Sequence, residues 1–197
     1  MKALLIDTSS EYLYVIVYDT FKKTELINKS MVTHNNHSEN LIPVIESALN
    51  ELNITLSDID EFICGIGPGS YTGLRVGCVV SKMASYTLNK TQKIVSSLLF
   101  VSSGKLDSDG KYLVKMKAKK DYSYYLVLEV KDKVINVLVS DSFTSDEELN
   151  NIINSYDNLI IIDEALYKPS GEVIYNYAKE VSDIHSLTPN YLRKANS

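Results

Sequence analysis

Four consecutive apolar residues in "KALLIDTS" give way to a polar turn, and the alternating "YLYVIVYDT" and then "TELINKSMV" follow at once. Three such runs joined by short turns predict an antiparallel meander. In "HNNHSENLIPVIESALNEL" the period changes. Leu41, Ile42, Ile45, Ala48, Leu49 and Leu52 recur at helical spacing, predicting a helix over 38–52. Ser38 or Asn36 can cap it, Glu39 places negative charge near its start, and Pro43 sits where a missing amide costs least. "EFICGIG" is then a strand, 70–89 a helix of about five turns at 3.6 residues each, "KIVSS" a strand, and 98–104 a helix. A meander followed by crossovers is the order of a ribonuclease-H-like lobe.

After the polar "SGKLDSDGK" the pattern restarts. "KYLVKMKA", "YSYYLVLEV" and "KVINVLVSDS" predict strands, with Asp132 in the turn between the last two. "TSDEELNNIINSY" is a helix capped by Thr144 or Ser145, "NLIIIDEA" a buried strand, and "GEVIYNYAKEV" another helix. The expectation is an α/β chain of two ribonuclease-H-like lobes, 1–104 and 105–197, the second smaller. The order of elements repeats; the residues do not.

Five of the eight glycines fall in "CGIGPGSYTGLRVG", at Gly65, Gly67, Gly69, Gly73 and Gly77. Three readings compete: a phosphate loop, a tight turn, and a helix face cleared for close approach. A P-loop needs Lys and a hydroxyl after its last glycine, whereas Gly73 precedes Leu74 and Arg75. The dinucleotide fingerprint from Gly65 and Gly67 needs a small residue at position 70, which Ser70 fills only loosely, and no acidic residue ends a strand at the ribose distance. A strand-to-helix turn accounts for Gly65, Gly67 and Gly69, with Ser70 or Thr72 as helix cap. Gly73 and Gly77 lie inside the helix, where together they cost about 2 kcal/mol relative to Ala. With Ser81 and Ser85 they form a stripe of small residues at steps of four. Packing against the chain's own sheet would account for such a stripe. Val76, Val79, Val80 and Met83 on the other side can serve the internal core, however, so the small face is expected to join the first helix in a surface that docks on another protein.

Composition narrows the function. Net charge is −5 and the one basic cluster, Lys115 to Lys120, reads as the wet face of a strand, which argues against direct nucleic-acid binding. The two cysteines, Cys64 and Cys78, sit among apolar or small neighbours and read as buried thiols of a reducing compartment. No apolar run reaches membrane-spanning length, and the expectation is a cytoplasmic protein with no membrane role. Only two arginines, Arg75 and Arg193, stand against eighteen lysines, so each marks a position suited to a planar guanidinium. His34 and His37 are three apart with no further ligand, so no metal site is expected. Asp7, Thr8 and Ser9, with Gly67 and Gly69, resemble half of an actin-type nucleotide site. The second lobe has no glycine from Lys111 to Pro169 to complete it. No catalytic residue is assigned.

"LLIDTS", "HSENLIPVI", "GIGPGSYTGLRVG" and "PNYLRK", in that order and across nearly the whole chain, resemble the bacterial TsaB (YeaZ) family of tRNA threonylcarbamoyladenosine synthesis. The resemblance implies two actin-like lobes and a non-catalytic role. Such proteins bind and stabilise the paralogous transferase TsaD, the ATPase TsaE joins them, and tRNA is met only through the complex. It also implies that the isolated chain pairs with itself through the docking face. No cofactor is expected on this chain alone; ATP and metal belong to the partner subunits. The metal-binding HxxxH of the catalytic paralogue is replaced here by Ser96-Ser97-Leu98-Leu99-Phe100. The docking residues implied are His37, Leu41, Val44, Ile45 and Ala48 on the first helix, and Gly73, Arg75, Gly77 and Ser81 on the second. The chain departs from the family in a shorter second lobe and in "KAKKDYSYY", where acidic and Arg features are usual. The alternative is a minimal actin-like phosphotransferase using Asp7, Thr8 and Ser9; a metallopeptidase is a third reading.

Overall fold

A computed structural model describes residues 1–33 and 36–192. His34 and Arg193, singled out above, lie outside them. Strands β1 (Lys2–Asp7), β2 (Tyr12–Asp19) and β3 (Thr24–Val32) form the meander. Helix α1 (His37–Glu51) leads to β4 (Glu61–Gly65), α2 (Tyr71–Thr87) to β5 (Thr91–Val95), and α3 (Ser97–Ser102) closes the first half. The strands make one sheet in the order β5-β4-β1-β2-β3, with β4 and β5 parallel to β1. Period-two alternation sorts its side chains. Leu4, Ile6, Val15 and Val17 meet Leu41, Ile45 and Ala48 of α1 on one face. Ala3, Leu5, Tyr14 and Ile16 face the other way, onto α3 and the second half.

The second half repeats the topology. Strands β6 (Gly110–Lys119), β7 (Tyr122–Lys131) and β8 (Val134–Ser145) form a meander. Helix α4 (Asp146–Asn154) then leads to β9 (Leu159–Ile162), which runs parallel to β6. The order β8-β7-β6-β9 mirrors β3-β2-β1-β4. Ser145 caps α4 by accepting from the Glu148 amide, as its sequence predicts. Leu113, Tyr125 and Val127 pack on Leu149 of α4. The opposite face carries Tyr112, Val114, Met116, Leu126 and Leu128 into the same core as Leu5 and Ile16. One continuous apolar core therefore joins both lobes.

Two expectations change. The chain beyond 170 does not stay with the second lobe. Helix α5 (Gly171–Tyr177) packs on β2 and β3, with Gly171 against Tyr18 and Ile16 and its amide donating to Glu25 at 2.6 Å. The two-residue β10 (Lys179–Glu180) then adds to β5, making the first sheet six-stranded. The physical reason is that β5 would otherwise be an open edge. The second correction is to "NLIIIDEA". It forms an edge strand in which Ile162 is buried and Ile160 exposed, because only one of its sides has a neighbouring strand. No helix among the described residues is long and apolar enough to cross a bilayer.

Candidate functional site

The glycine stretch runs from the end of β4 into the first turns of α2. Gly67 and Gly69 have positive φ, 112° and 157°, which glycine adopts at little cost, and the Gly67–Pro68 peptide is cis. Ser70 caps α2, accepting from the Gly73 amide at 3.3 Å, while its own amide donates to the Ser9 carbonyl at 2.6 Å. The helix then passes directly over Thr8. A Cβ on Gly73 would stand 2.0 Å from the Thr8 carbonyl oxygen, and one on Gly77 2.4 Å from Thr8 Oγ1. Thr8 Oγ1 donates to the Gly73 carbonyl at 2.7 Å. Further along, Ser81 and Ser85 both donate to Gln92 Oε1 on β5, at 3.0 and 2.9 Å.

The small stripe thus faces the chain's own sheet, reversing the expected orientation of α2. Gly73, Gly77 and Ser81 are buried and cannot be docking contacts. On α1, Leu41, Ile45 and Ala48 are core residues and Val44 packs against that core. His37 is buried beneath Thr33, whose hydroxyl lies 3.1 Å from Nδ1, and burial lowers the imidazole pKa. Of the nine expected contacts only Arg75 is exposed. Its guanidinium stacks on Tyr71, 4.1 Å from the ring centre, and Nε donates to Tyr191 Oη at 3.1 Å. Its planar group ties the C-terminal segment to α2.

The surface the two helices do present is apolar. Val79 is 51% exposed, Met83 62%, Tyr86 62% and Ile42 45%. Between the helices runs a groove of about 390 Å³, with Ile42, Leu49, Leu56, Val80 and Ala84 in its walls. The periodicity of α2 contained this signal. Reading the glycine side as the open one puts Val79 and Met83 in the interior, whereas both are exposed.

The expected nucleotide half-site is also largely consumed by the fold. Asp7 Oδ1 accepts from the Ser9 amide at 2.9 Å and the Ser9 hydroxyl at 2.6 Å. The carboxyl is fully buried, and desolvation pushes its pKa up to about 6 against the opposing pull of Ser9. Thr8 is committed to α2, and Gly67 lies under the Asn190 carbonyl, which a Cβ would approach to 2.8 Å. Ser9 and Gly69 alone of the five line the cleft between the lobes, a cavity of about 650 Å³. Ser10, Ser70, Tyr71 and Tyr191 line the same side, and Lys117, Lys119 and Lys120 the other. Ser96, where the HxxxH motif would begin, caps α3 and donates to Asp141 of β8 at 2.7 Å. Burial raises the Asp141 pKa to about 6. Among the described residues no cluster of three or more His, Cys, Asp or Glu could hold a metal ion. Cys64 and Cys78 are free and buried.

Two meanders, each followed by a helix and a strand parallel to the meander's first, with helices between and outside the sheets, define paired ribonuclease-H-like lobes of the actin, Hsp70 and sugar-kinase type. The second lobe is the reduced one. The model of the TsaD family, tRNA N6-adenosine threonylcarbamoyltransferase, matches residues 29–191. The chain belongs to that family, on its TsaB (YeaZ) branch. The Bacillus subtilis tRNA threonylcarbamoyladenosine biosynthesis protein TsaB is 24% identical over 99% of this chain and 95% of its own. The tRNA N6-adenosine threonylcarbamoyltransferase of Persephonella marina is 29% identical, over 46% of this chain and 30% of its own. The structure of YeaZ from Pseudomonas aeruginosa superposes with a TM-score of 0.78 at 18% identity, covering 97% of this chain and 99% of that one. At that identity the superposition speaks for the fold.

Proposed function

We propose that this chain is a non-catalytic subunit of tRNA threonylcarbamoyladenosine synthesis, which binds and activates a TsaD-like transferase through α1 and α2. The observation that carries the reading is the apolar strip of Ile42, Val79, Met83 and Tyr86, bordering a groove on a face that the described residues leave largely open, with His185 meeting only the edge of Tyr86. Exposed apolar surface of this kind marks a protein interface. A stable one buries about 1,600 Å² in total. Family membership supports the pathway and the kind of partner. Commitment of Asp7 and Thr8 to internal hydrogen bonds favours a subunit whose partner does the chemistry. ATP, metal and a TsaE-like ATPase would then belong to the assembled complex, and tRNA would meet this chain only there. In the absence of a partner the same face would pair two copies of the chain. The compartment is the cytoplasm.

The test is co-purification with the host's TsaD-like protein, using Val79→Asp combined with Met83→Asp. Both side chains are exposed, so the variant should keep its thermal midpoint and lose the complex, along with tRNA modification in a reconstituted assay. Retention of the complex would place the interface elsewhere.

A further inference from the structure

Helix α2 has four sides, and the described residues cover three of them. Gly73, Gly77, Ser81 and Ser85 lie on Thr8 and β5. Val76, Val80 and Ala84 turn toward α1, in the apolar cluster that both helices share. The third side meets the C-terminal segment 181–191. Tyr191 packs on Tyr71 with ring centres 4.7 Å apart and accepts from Arg75 Nε, and Leu187 is buried with Cys78. The His185 carbonyl accepts from Lys82 Nζ at 2.9 Å, and its ring meets Tyr86 edge-on at 5.2 Å. Tyr71, Arg75, Cys78, Lys82 and Tyr86 recur at steps of three and four, so they share one helical face. The segment runs antiparallel to the helix. Extended chain from His185 to Tyr191 spans about 20 Å, and the helix from Tyr71 to Tyr86 rises about 22 Å.

Val79 and Met83 occupy the fourth side, an exposed ridge between the α1 flank and the C-terminal flank. Resting on the docking reading above, we infer that the surface is built from three elements and not two: the segment 181–191 forms its second flank and supplies His185 as a contact for the TsaD-like partner. An α-helix is about 10–12 Å across with its side chains and packs on another with about 8–10 Å between axes. One laid on the Val79–Met83 ridge overlaps both flanks. On the C-terminal flank stands the corner of Tyr86 and His185, both exposed. Asp183 fixes the turn that carries the imidazole: its carboxylate accepts from the His185 amide at 2.9 Å, and its carbonyl accepts from the Ser186 hydroxyl at 2.8 Å. Two aromatic rings held at such a corner suit an apolar or guanidinium-bearing side chain of the partner, the kind that anchors protein interfaces. Leu187 is the one buried residue of the segment, and the ties through Arg75 and Lys82 lie at the surface. An element held in this way opens at low cost when free and gains order when covered.

Hydrogen–deuterium exchange on the full chain, alone and in complex with the host's TsaD-like protein, reads the flank directly. Amides of 183–188 should slow in the complex together with those of 76–86, while those of 134–140 on β8 stay unchanged. His185→Asp should weaken the complex at least about tenfold, and His185→Phe, which keeps a ring beside Tyr86, should stay within about threefold of the parent. Asn158→Asp, an equal charge change at an exposed site of the second lobe, should bind as the parent does. Thermal melts establish that each variant is folded, as expected for exposed positions. Unchanged exchange in 183–188 would overturn the inference. So would parental affinity of His185→Asp, or an equal loss in His185→Phe or Asn158→Asp. If Val79→Asp with Met83→Asp abolishes the complex and the His185 variants do not, docking through α2 stands and the third element falls. A parent chain that forms no complex removes both.

Discussion

Asp7 gives the site region a pH dependence that can be followed to a single buried carboxyl. Its carboxyl is buried, and its pKa in the folded chain is about 6 against an ordinary 3.8. The folded state therefore holds the proton more tightly than the unfolded chain, and stability falls as pH rises from about 4 through 6. Above 6 the fold contains a buried anion. Asp7→Asn keeps an acceptor for Ser9 and removes the charge. It should stabilise the protein by on the order of 2 kcal/mol at pH 7.5, with the gain vanishing near pH 4. Urea titrations of both proteins across that window measure the difference, and a gain independent of pH would refute it. The residue type at position 7 was legible as a strand-end carboxylate. Its commitment to Ser9 was not, because the backbone turn that brings the Ser9 amide to Oδ1 leaves no mark in residue order.

At the scale of one element, α2 shows how a correct pattern yields an inverted orientation. Small residues at steps of four and apolar ones between them were both present in the sequence, and helix limits and the Ser70 cap follow from them. Which side faces inward depends on what lies beneath. The β1–β2 connection rises so high at Thr8 that only glycine fits over it, and Gln92 offers a single oxygen to two serines. Neither fact is local to the helix. It follows that Gly77→Leu should attack the fold and not the interface, since overpacking costs about 1–3 kcal/mol even in yielding sites and here the obstacle is Thr8. A thermal midpoint well below the parent is expected. A midpoint equal to the parent's would mean that α2 can lift off Thr8 at no cost. The contrast with Val79→Asp plus Met83→Asp, expected to melt like the parent, separates the two faces of one helix.

Over the whole molecule, both lobes were legible because each meander announces itself by alternation and each is followed by a capped helix. The return of the chain after residue 170 was not. "GEVIYNYAKEV" is amphipathic on its own terms, and nothing in its order says which sheet it will cover. The structure gives it to the first: Ile174 is fully buried, and Val181 donates to the Gln92 carbonyl at 2.9 Å, extending the β5 edge. Deletion of residues 171–197 should therefore uncover Tyr18 and Ile16 and leave the outer edge of β5 unpaired. A large fall in soluble yield and melting temperature is expected, measured against the parent under the same buffer. An unchanged melt would show the tail to be an ornament.

The shared core has a mechanical corollary. Leu5 and Ile16 of one sheet lie in a single dry cluster with Val114 and Leu126 of the other, so spreading the halves would wet residues from both at once. An actin-like motor draws work from such spreading, cycle after cycle. Here the two halves cannot part without opening that cluster, so the body is held to a single relative placement of its sheets.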